Sequence, residues 1–220
     1  MGIISVEHTD RLYWLGRYSE RVYTTIRMFA QCYDTMIDDI EEEYDRFCHN
    51  LDIPNIYQSG EDFIERYCFD ESDPNSIYSN LLRAYDNAIV LREEIGSETL
   101  SYIQLAIYEM HNAHQSQAPL IELQKVTDNI VAFWGMADDI ILDENVRNII
   151  KTGKRVERID LYGRLHFPKA DMLREVHRLA GRLPRTMIHY HQPSVIRLLE
   201  LSEDIELNYP EIVRTVDSLL

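Results

Sequence analysis

Small and apolar residues near the start of the chain recur at alternating steps of three and four positions. This spacing is that of one face of an α-helix, and the positions are Leu12, Leu15, Ser19, Val22, Ile26, Phe29, Tyr33, Met36 and Ile40. No proline interrupts the pattern before Pro54. It therefore predicts one long helix from about Thr9 to about Phe47.

Capping residues and prolines divide the rest of the chain into further helices. Ser59 followed by Asp62 forms a capping-box pattern, and Asp73–Pro74 is a typical helix start. The helix that starts there runs towards Gly96, where it either breaks or continues. No strand alternation or hairpin signal occurs in the sequence, so we expect an all-α, multi-helix bundle. Further helix boundaries are expected near Pro119, Asp143, Pro168, Pro184, Pro193 and Pro210.

Composition narrows the class of protein. The 220 residues include 38 acidic and 22 basic side chains, for a formal net charge of −16. Such a surface repels phosphate backbones and anionic lipid, so neither nucleic acid nor a membrane is an expected partner. The longest apolar run, Ile130 to Trp134, is far shorter than the roughly 20 residues that span a bilayer. The length predicts one domain over residues 1–220.

The cysteines indicate a reducing compartment. Cys32, Cys48 and Cys68 are odd in number and lack Cys-x-x-Cys spacing. The first residues also lack the basic start and apolar core of a secretory signal. A cytoplasmic location is therefore expected.

Two segments share one pattern of residue types. Gly16-Arg17-Tyr18-Ser19-Glu20-Arg21-Val22 and Gly153-Lys154-Arg155-Val156-Glu157-Arg158-Ile159 both read glycine, basic, two variable positions, Glu-Arg and a β-branched residue. Each lies in a predicted long helix. We therefore expect a bundle that is organised around two long helices bearing Glu-Arg.

The Glu-Arg pairs have two interpretations. Trp14, Arg17, Arg21 and Met28 lie opposite the apolar face of the first helix, while Glu157 lies on the apolar edge of its own helix, which predicts a partly buried charged layer. One interpretation is a buried network in which each glutamate is paired with an arginine of the other helix. The other is the site of an enzyme or a ligand-binding protein, in which Arg17, Arg21 and Arg158 form a cationic pocket for a carboxylate or phosphate. The candidate residues for either role are Arg17, Glu20, Arg21, Arg92, Glu157 and Arg158.

Three stretches resemble motifs of a known family. Tyr13-Trp14-Leu15-Gly16-Arg17-Tyr18-x-Glu20-Arg21 is similar to the opening signature of the alpha-E domain. Asn87-Ala88-Ile89-Val90-Leu91-Arg92-Glu93-Glu94-Ile95-x-x-Glu98 resembles its middle motif, and Gly153-Lys154-Arg155-Val156-Glu157-Arg158 resembles its second Glu-Arg motif. The resemblance covers nearly the whole chain and includes the order of the motifs.

The resemblance implies a partner rather than a reaction. Alpha-E proteins tend to be encoded beside ATP-grasp-type ligases and transglutaminase-like proteins. This implies a non-catalytic accessory module in ATP-dependent formation of peptide or amide bonds, with such a ligase or transglutaminase-like protein as the partner. No cofactor or metal is expected, and homo-oligomerisation stays open.

Aspartates carry the strongest competing enzyme hypothesis. Asp34 and Asp38 on one predicted helix, with Asp139 and Asp143 at the end of another, could hold Mg²⁺ against a diphosphate. The arrangement resembles that of all-α isoprenoid synthases, although the chain is short for that fold. Two histidine pairs, His111 with His114 and His189 with His191, lack the acidic or cysteine partners of a zinc site.

Overall fold

The structure of the chain is a computed structural model that describes the backbone of residues 4–36 and 40–220 and the side chains of residues 4–30 and 44–220. All regular structure in these ranges is helical, which confirms the expected all-α, multi-helix bundle. The helices are α1 (Val6–Met36), α2 (Ile40–Leu51), α3 (Gly60–Phe69), α4 (Ile77–Val90), α5 (Arg92–Ile95), α6 (Ser97–His114), α7 (Pro119–Ile140), α8 (Glu144–Arg164), α9 (Lys169–Arg182), α10 (Gln192–Glu203) and α11 (Tyr209–Asp217), with a 3₁₀ turn at Leu183–Arg185.

The first helix differs from its prediction at its C-terminal end. The expected single helix from Thr9 to Phe47 crosses residues 37–39, which lie outside the described residues. Phe29 of α1 and Phe47 of α2 lie with their ring centroids 6.3 Å apart. Eighteen residues of straight helix would separate them by about 27 Å. The prediction of one straight helix is therefore wrong, because the chain folds back so that α2 packs against α1.

Helix starts agree with the sequence where a polar side chain caps the next turn. The Ser59 side chain accepts from the backbone N–H of Asp62 at 3.2 Å, and Asp143 accepts from the first N–H groups of α8. Gly96 has a φ of +80° and separates α5 from α6, so the helix breaks there and does not continue. The predicted start at Asp73 is wrong, since Ser76 caps α4 instead.

The displaced start has a tertiary cause. Asp73 is buried, and its carboxylate accepts a hydrogen bond from the Tyr57 hydroxyl at 2.8 Å. A second oxygen of the same carboxylate accepts from the backbone N–H of Asn75. Asp73 therefore fixes the turn before α4 to the loop before α3, and the helix begins three residues later than a local cap at Asp73 would place it.

Two apolar clusters form the interior. The first lies among α1 to α7 and the start of α8, and includes a group of stacked and edge-on rings around Phe63. The second lies between the C-terminal half of α8 and α9 to α11. Because α8 contributes side chains to both and packs most extensively on α1, these two helices join the two halves of the core. Within the described ranges, no helix combines the length and the apolar character needed to cross a membrane.

Candidate functional site

Helices α1 and α8 touch at their glycines. A Cβ on Gly16 would lie 2.0 Å from the carbonyl oxygen of Ile150, and a Cβ on Gly153 would lie 2.0 Å from the carbonyl oxygen of Tyr13. Tyr13 and Ile150 each precede their own glycine by three residues, so the two contacts are equivalent. Only glycine allows two helix backbones to approach this closely. The pattern repeated in the sequence is therefore a repeated contact in the structure.

One turn beyond the glycines, the two Glu-Arg motifs pair with each other. The Glu20 carboxylate accepts two hydrogen bonds from Arg158, at 2.5 and 2.8 Å. In the equivalent position, Glu157 accepts from Arg21 and, at 2.6 Å, from Arg17. Both glutamate side chains are fully buried. This is the reciprocal arrangement that the spacing of the motifs predicts, and we call these five residues the Glu-Arg layer.

The arginines of the layer cover its outer edge. Their side chains are 14 to 33% exposed, against 0% for the glutamates. The Arg17 guanidinium lies 5.0 Å from the centre of the Trp14 ring, and Thr24 donates a further hydrogen bond to Glu20 at 2.8 Å. The carboxylates therefore make their contacts inside the protein, and only parts of the guanidinium groups face outwards.

Charge pairing outweighs burial in this layer. Burial by itself raises the pKa of Glu157, but the adjacent Arg21 and Arg17 overcome that effect and hold the pKa below its ordinary value. Burial likewise acts to lower the pKa of Arg17, Arg21 and Arg158, whereas their partner glutamates raise it. Glu157 and its partners Arg17 and Arg21 are therefore ionised near neutral pH.

A third buried carboxylate extends the layer, and the sequence interpretation missed it. Glu175 of α9 is fully buried and pairs with Arg155, with Arg178 at 3.0 Å and with Arg158 at 3.8 Å. A signal was available, since Glu175 lies at helical spacing between the apolar residues Met172, Val176 and Leu179. A charge in that position needs a partner from another helix.

Arg92 is not part of the Glu-Arg layer, which corrects its inclusion among the candidate residues. It is exposed at the start of α5, and its Nε donates to the Ser97 hydroxyl at 2.9 Å. The motif that contains it resembles the family's middle motif, yet α5 is a single turn in front of Gly96. Its side chain therefore links α5 to the first residue of α6 and contacts none of the buried glutamates that the structure describes.

Two clefts adjoin the layer. The first, of about 190 Å³, is lined by Arg21, Asp160, Arg164 and the exposed Asp52. Burial, followed by the charge of Glu157, raises the pKa of Asp160 to about 6, against the opposing effect of Arg164. The second, of about 360 Å³, lies beside Arg17 near the C-terminus of the chain.

The described residues form no metal site of the kind that the aspartate hypothesis requires. The side chains of Asp34, Asp38 and Cys32 lie outside them. Asp143 is used as the cap of α8, and Asp139 is exposed at the end of α7. Among the described residues, no group of three or more His, Cys, Asp or Glu side chains is placed to hold a metal ion.

Three of the four histidines in the two candidate pairs have partners of their own. His111 Nε2 lies 2.8 Å from the Tyr78 hydroxyl, and His114 Nε2 lies 2.6 Å from a carboxylate oxygen of Glu65. His191 Nδ1 lies 2.8 Å from the Ser194 hydroxyl. The first two contacts link α6 to α4 and to α3, and the third is local to the start of α10.

The fold and the site define a class of α-helical protein in which two long helices are joined by reciprocal Glu-Arg pairs. The sequence comparisons agree with this class. The Alpha-E family, described as "A predicted alpha-helical domain with a conserved ER motif", matches residues 7–206. The chain therefore belongs to the Alpha-E family. No curated protein and no solved structure matches it significantly.

Proposed function

We propose that this protein is a non-catalytic accessory module that works with an ATP-grasp-type ligase in forming peptide or amide bonds. The observation that carries the proposal is the internal use of the Glu-Arg layer. Both carboxylates are fully buried and are matched by arginines of the other helix. A general acid or base must reach a proton of its substrate, and these buried carboxylates face arginines instead.

The partner follows from the resemblance of the motifs, which implies ATP-grasp-type ligases and transglutaminase-like proteins as associates. A module of this kind acts through its surface, while the Glu-Arg layer fixes how α1 and α8 cross. The surface offers exposed apolar residues that a partner could cover, including Ile121, Leu142, Met187 and Ile205. Burial of such side chains drives most protein association.

The test uses a purified ATP-grasp-type ligase from the same host. Equimolar mixtures are analysed by size-exclusion chromatography with light scattering, and the release of ADP by the ligase is measured with and without this protein. We expect a complex and a changed rate of ADP release. An unrelated acidic protein of similar size is the control for net charge. A ligase that elutes alone and turns over unchanged contradicts the proposal, and a transglutaminase-like protein of the host is then tested in the same way.

A second candidate function is binding of a small carboxylate or phosphate compound at the edge of the layer. The observation that favours it is the cleft of about 190 Å³ beside Arg21, where Arg164 supplies a second guanidinium. Two arginine side chains can bind such an anion through charge-assisted hydrogen bonds. The partly exposed outer sides of Arg17 and Arg158 are the other contacts that this function would use.

Thermal unfolding distinguishes the two functions. Wild type, Arg21→Ala and Glu157→Ala are compared with and without amino acids, peptides, nucleotides and Mg²⁺. If the layer is scaffold, both variants melt well below wild type, and any ligand-dependent rise in Tm is the same in Arg21→Ala as in wild type. If the layer is a binding site, Arg21→Ala melts like wild type and loses a ligand-dependent rise that wild type shows.

A further inference from the structure

A cluster of positive charge lies on the side of α8 that faces α9. It consists of Lys151 and Arg155 of α8 and Arg182 of α9, and we call these three residues the α8–α9 basic cluster. Arg147 and Arg185 lie close enough to act on Arg182 electrostatically. The protein as a whole carries a net charge of −16, so a local excess of cations is unusual for its surface.

The fold brings the three side chains of the cluster together. Lys151 and Arg155 are four residues apart on one helix and therefore share a face. Arg182 donates through Nη1 to the Asn148 side-chain oxygen at 2.6 Å, and Asn148 lies on the same face of α8, one turn before Lys151. The side chains of Lys151 and Arg155 are only 19% and 14% exposed. The cluster is thus recessed between the two helices.

Acidic partners do not balance the cluster. Lys151 pairs with Asp138, and Arg155 pairs with Glu175, but Glu175 is also shared with Arg158 and Arg178. Arg182 has an amide oxygen as its partner and no carboxylate among the residues that the structure describes. In the same part of the chain, the Nε–H groups of Arg155 and Arg182 are buried and donate to no hydrogen-bond partner. Two guanidinium groups therefore retain unused donors.

The electrostatic cost of the arrangement appears in its pKa values. Burial and the neighbouring Arg182 and Arg155 lower the pKa of Lys151 to about 8. Burial and Arg155 lower the pKa of Arg182, and the pKa of Arg155 is lowered although Glu175 opposes the shift. Like charges held together against burial are typical of functional sites. A bound anion would offset both the repulsion and the unsatisfied donors.

We propose that the α8–α9 basic cluster binds a small dianionic phosphoryl group, either as inorganic phosphate or as the phosphate monoester of a small compound. A phosphoryl group presents several acceptor oxygens and two negative charges, which match two guanidinium forks and one ammonium group. Because the cluster is recessed between two helices, a small ligand fits it better than the flat surface of a partner protein does. The proposal does not depend on a ligase partner.

Thermal unfolding at constant ionic strength tests the proposal. Sodium phosphate and AMP are each exchanged for sodium chloride, with wild type, Arg182→Gln and Arg197→Gln compared. Arg197 is the matched control, because it is an exposed arginine on α10 that pairs with Glu200 and Glu211. At a ligand concentration ten times the Kd, we expect the Tm to rise by about 3 °C in wild type and in the control. We expect no rise in Arg182→Gln.

The unliganded proteins separate this site from a structural role of Arg182. Because Arg182→Gln removes a repelled charge and loses one hydrogen bond, to Asn148, we expect its Tm without phosphate to stay close to that of wild type. If the variant does not fold, Lys151→Gln takes its place, and the expected loss of the phosphate response is the same. A response to AMP but not to inorganic phosphate assigns the site to a phosphate monoester.

Two outcomes overturn the proposal. One is the absence of any rise in wild type with either ligand, and the other is an equal rise in all the variants. NMR of the arginine side chains gives an independent readout. Phosphate should shift the Nε–H resonances of Arg155 and Arg182 and leave that of Arg197 in place, and three unmoved signals also contradict binding at this cluster.

Discussion

At the scale of single residues, a substitution of Glu157 tests whether the Glu-Arg layer is a structural scaffold. Its carboxylate is fully buried between Arg17 and Arg21. Burial without these partners would be costly for a charged carboxylate, and removal of one member of a buried ion pair leaves the other charge unmatched. The contribution of the layer to stability can therefore be measured directly.

We expect Glu157→Gln to lower the free energy of unfolding by about 3–5 kcal/mol, because two partly buried guanidinium groups lose their fully buried counter-charge. Urea unfolding followed by circular dichroism measures the change. Glu200→Gln, at an exposed glutamate that pairs with Arg197, is the matched control and should change stability by less than about 1 kcal/mol. Equal effects of the two substitutions would contradict a scaffold role.

Asp160 makes stability depend on pH. Its pKa is raised from 3.8 to about 6 in the folded protein, by burial first and by the charges of Glu157 and Asp217, while Arg164 and Arg17 oppose the shift. A raised pKa means that ionisation of the folded protein is unfavourable. The associated stability is present below the unfolded pKa of 3.8 and is lost as the pH rises through about 6.

We therefore expect Asp160→Asn to gain stability relative to wild type as the pH rises. The difference in unfolding free energy should be about 2 kcal/mol more favourable to the variant at pH 7.5 than at pH 4.5. Chemical unfolding at the two pH values measures it. Asp204→Asn, at an exposed position, is the control for loss of one acidic group. A difference that does not change with pH contradicts the raised pKa.

At the scale of elements, the crossing of α1 and α8 depends on two glycines. A Cβ added to either glycine would lie 2.0 Å from a carbonyl oxygen of the other helix. A backbone carbonyl cannot turn away as a flexible side chain can, so any larger residue has to separate the helices. Separation would also lengthen the ion pairs one turn further along.

We expect Gly16→Ala and Gly153→Ala each to lower the unfolding free energy by at least about 3 kcal/mol, since the added methyl group overpacks a backbone contact. Gly135 of α7 is the matched control, because a Cβ there meets nothing within 4 Å. Gly135→Ala should instead stabilise the protein by about 0.5–1 kcal/mol. Thermal and urea unfolding measure all three, and a tolerated Gly16→Ala would contradict the close crossing.

The sequence predicted most elements because their signals are local. Ser59 and Asp143 cap helices through N–H groups two or three residues away, and such bonds depend on little else. Asp73 caps only a turn, through the Asn75 N–H, and its carboxylate also binds Tyr57, sixteen residues earlier. Helix α4 begins after Ser76. The predicted end of the first helix was wrong because apolar residues keep the helical spacing as far as Ile40, although the chain folds back so that α2 packs on α1. Periodicity records which face is buried, not where the helix bends.

At the scale of the whole molecule, α8 joins two apolar clusters. Val146, Ile149 and Ile150 belong to the first cluster, and Val156 and Ile159 belong to the second. Tyr13 of α1 also packs against both. A helix that is shared in this way should couple the two clusters, as the expectation of one domain over residues 1–220 requires.

We expect Leu198→Ala, a buried substitution in the second cluster, to lower the unfolding midpoint by the same amount for every probe. Trp134, which is buried in the first cluster, reports on that half by fluorescence once Trp14 is replaced by Phe, while circular dichroism reports on all helices. The substitution should cost about 2–5 kcal/mol. A fall in the circular dichroism midpoint with an unchanged fluorescence midpoint would reveal two separate folding units.

The sequence by itself determined the helical class, the capped starts of α3 and α8 and the matching register of the two Glu-Arg motifs, because each follows from spacing within a helix. Only the tertiary structure decided that Glu175 joins the network, that Arg92 stays outside it and that Arg182 lies beside Lys151. These outcomes depend on how α9 and α5 pack against their neighbours. Charges that lie far apart along the chain interact only after packing has brought their helices together, and spacing within one helix carries no record of that.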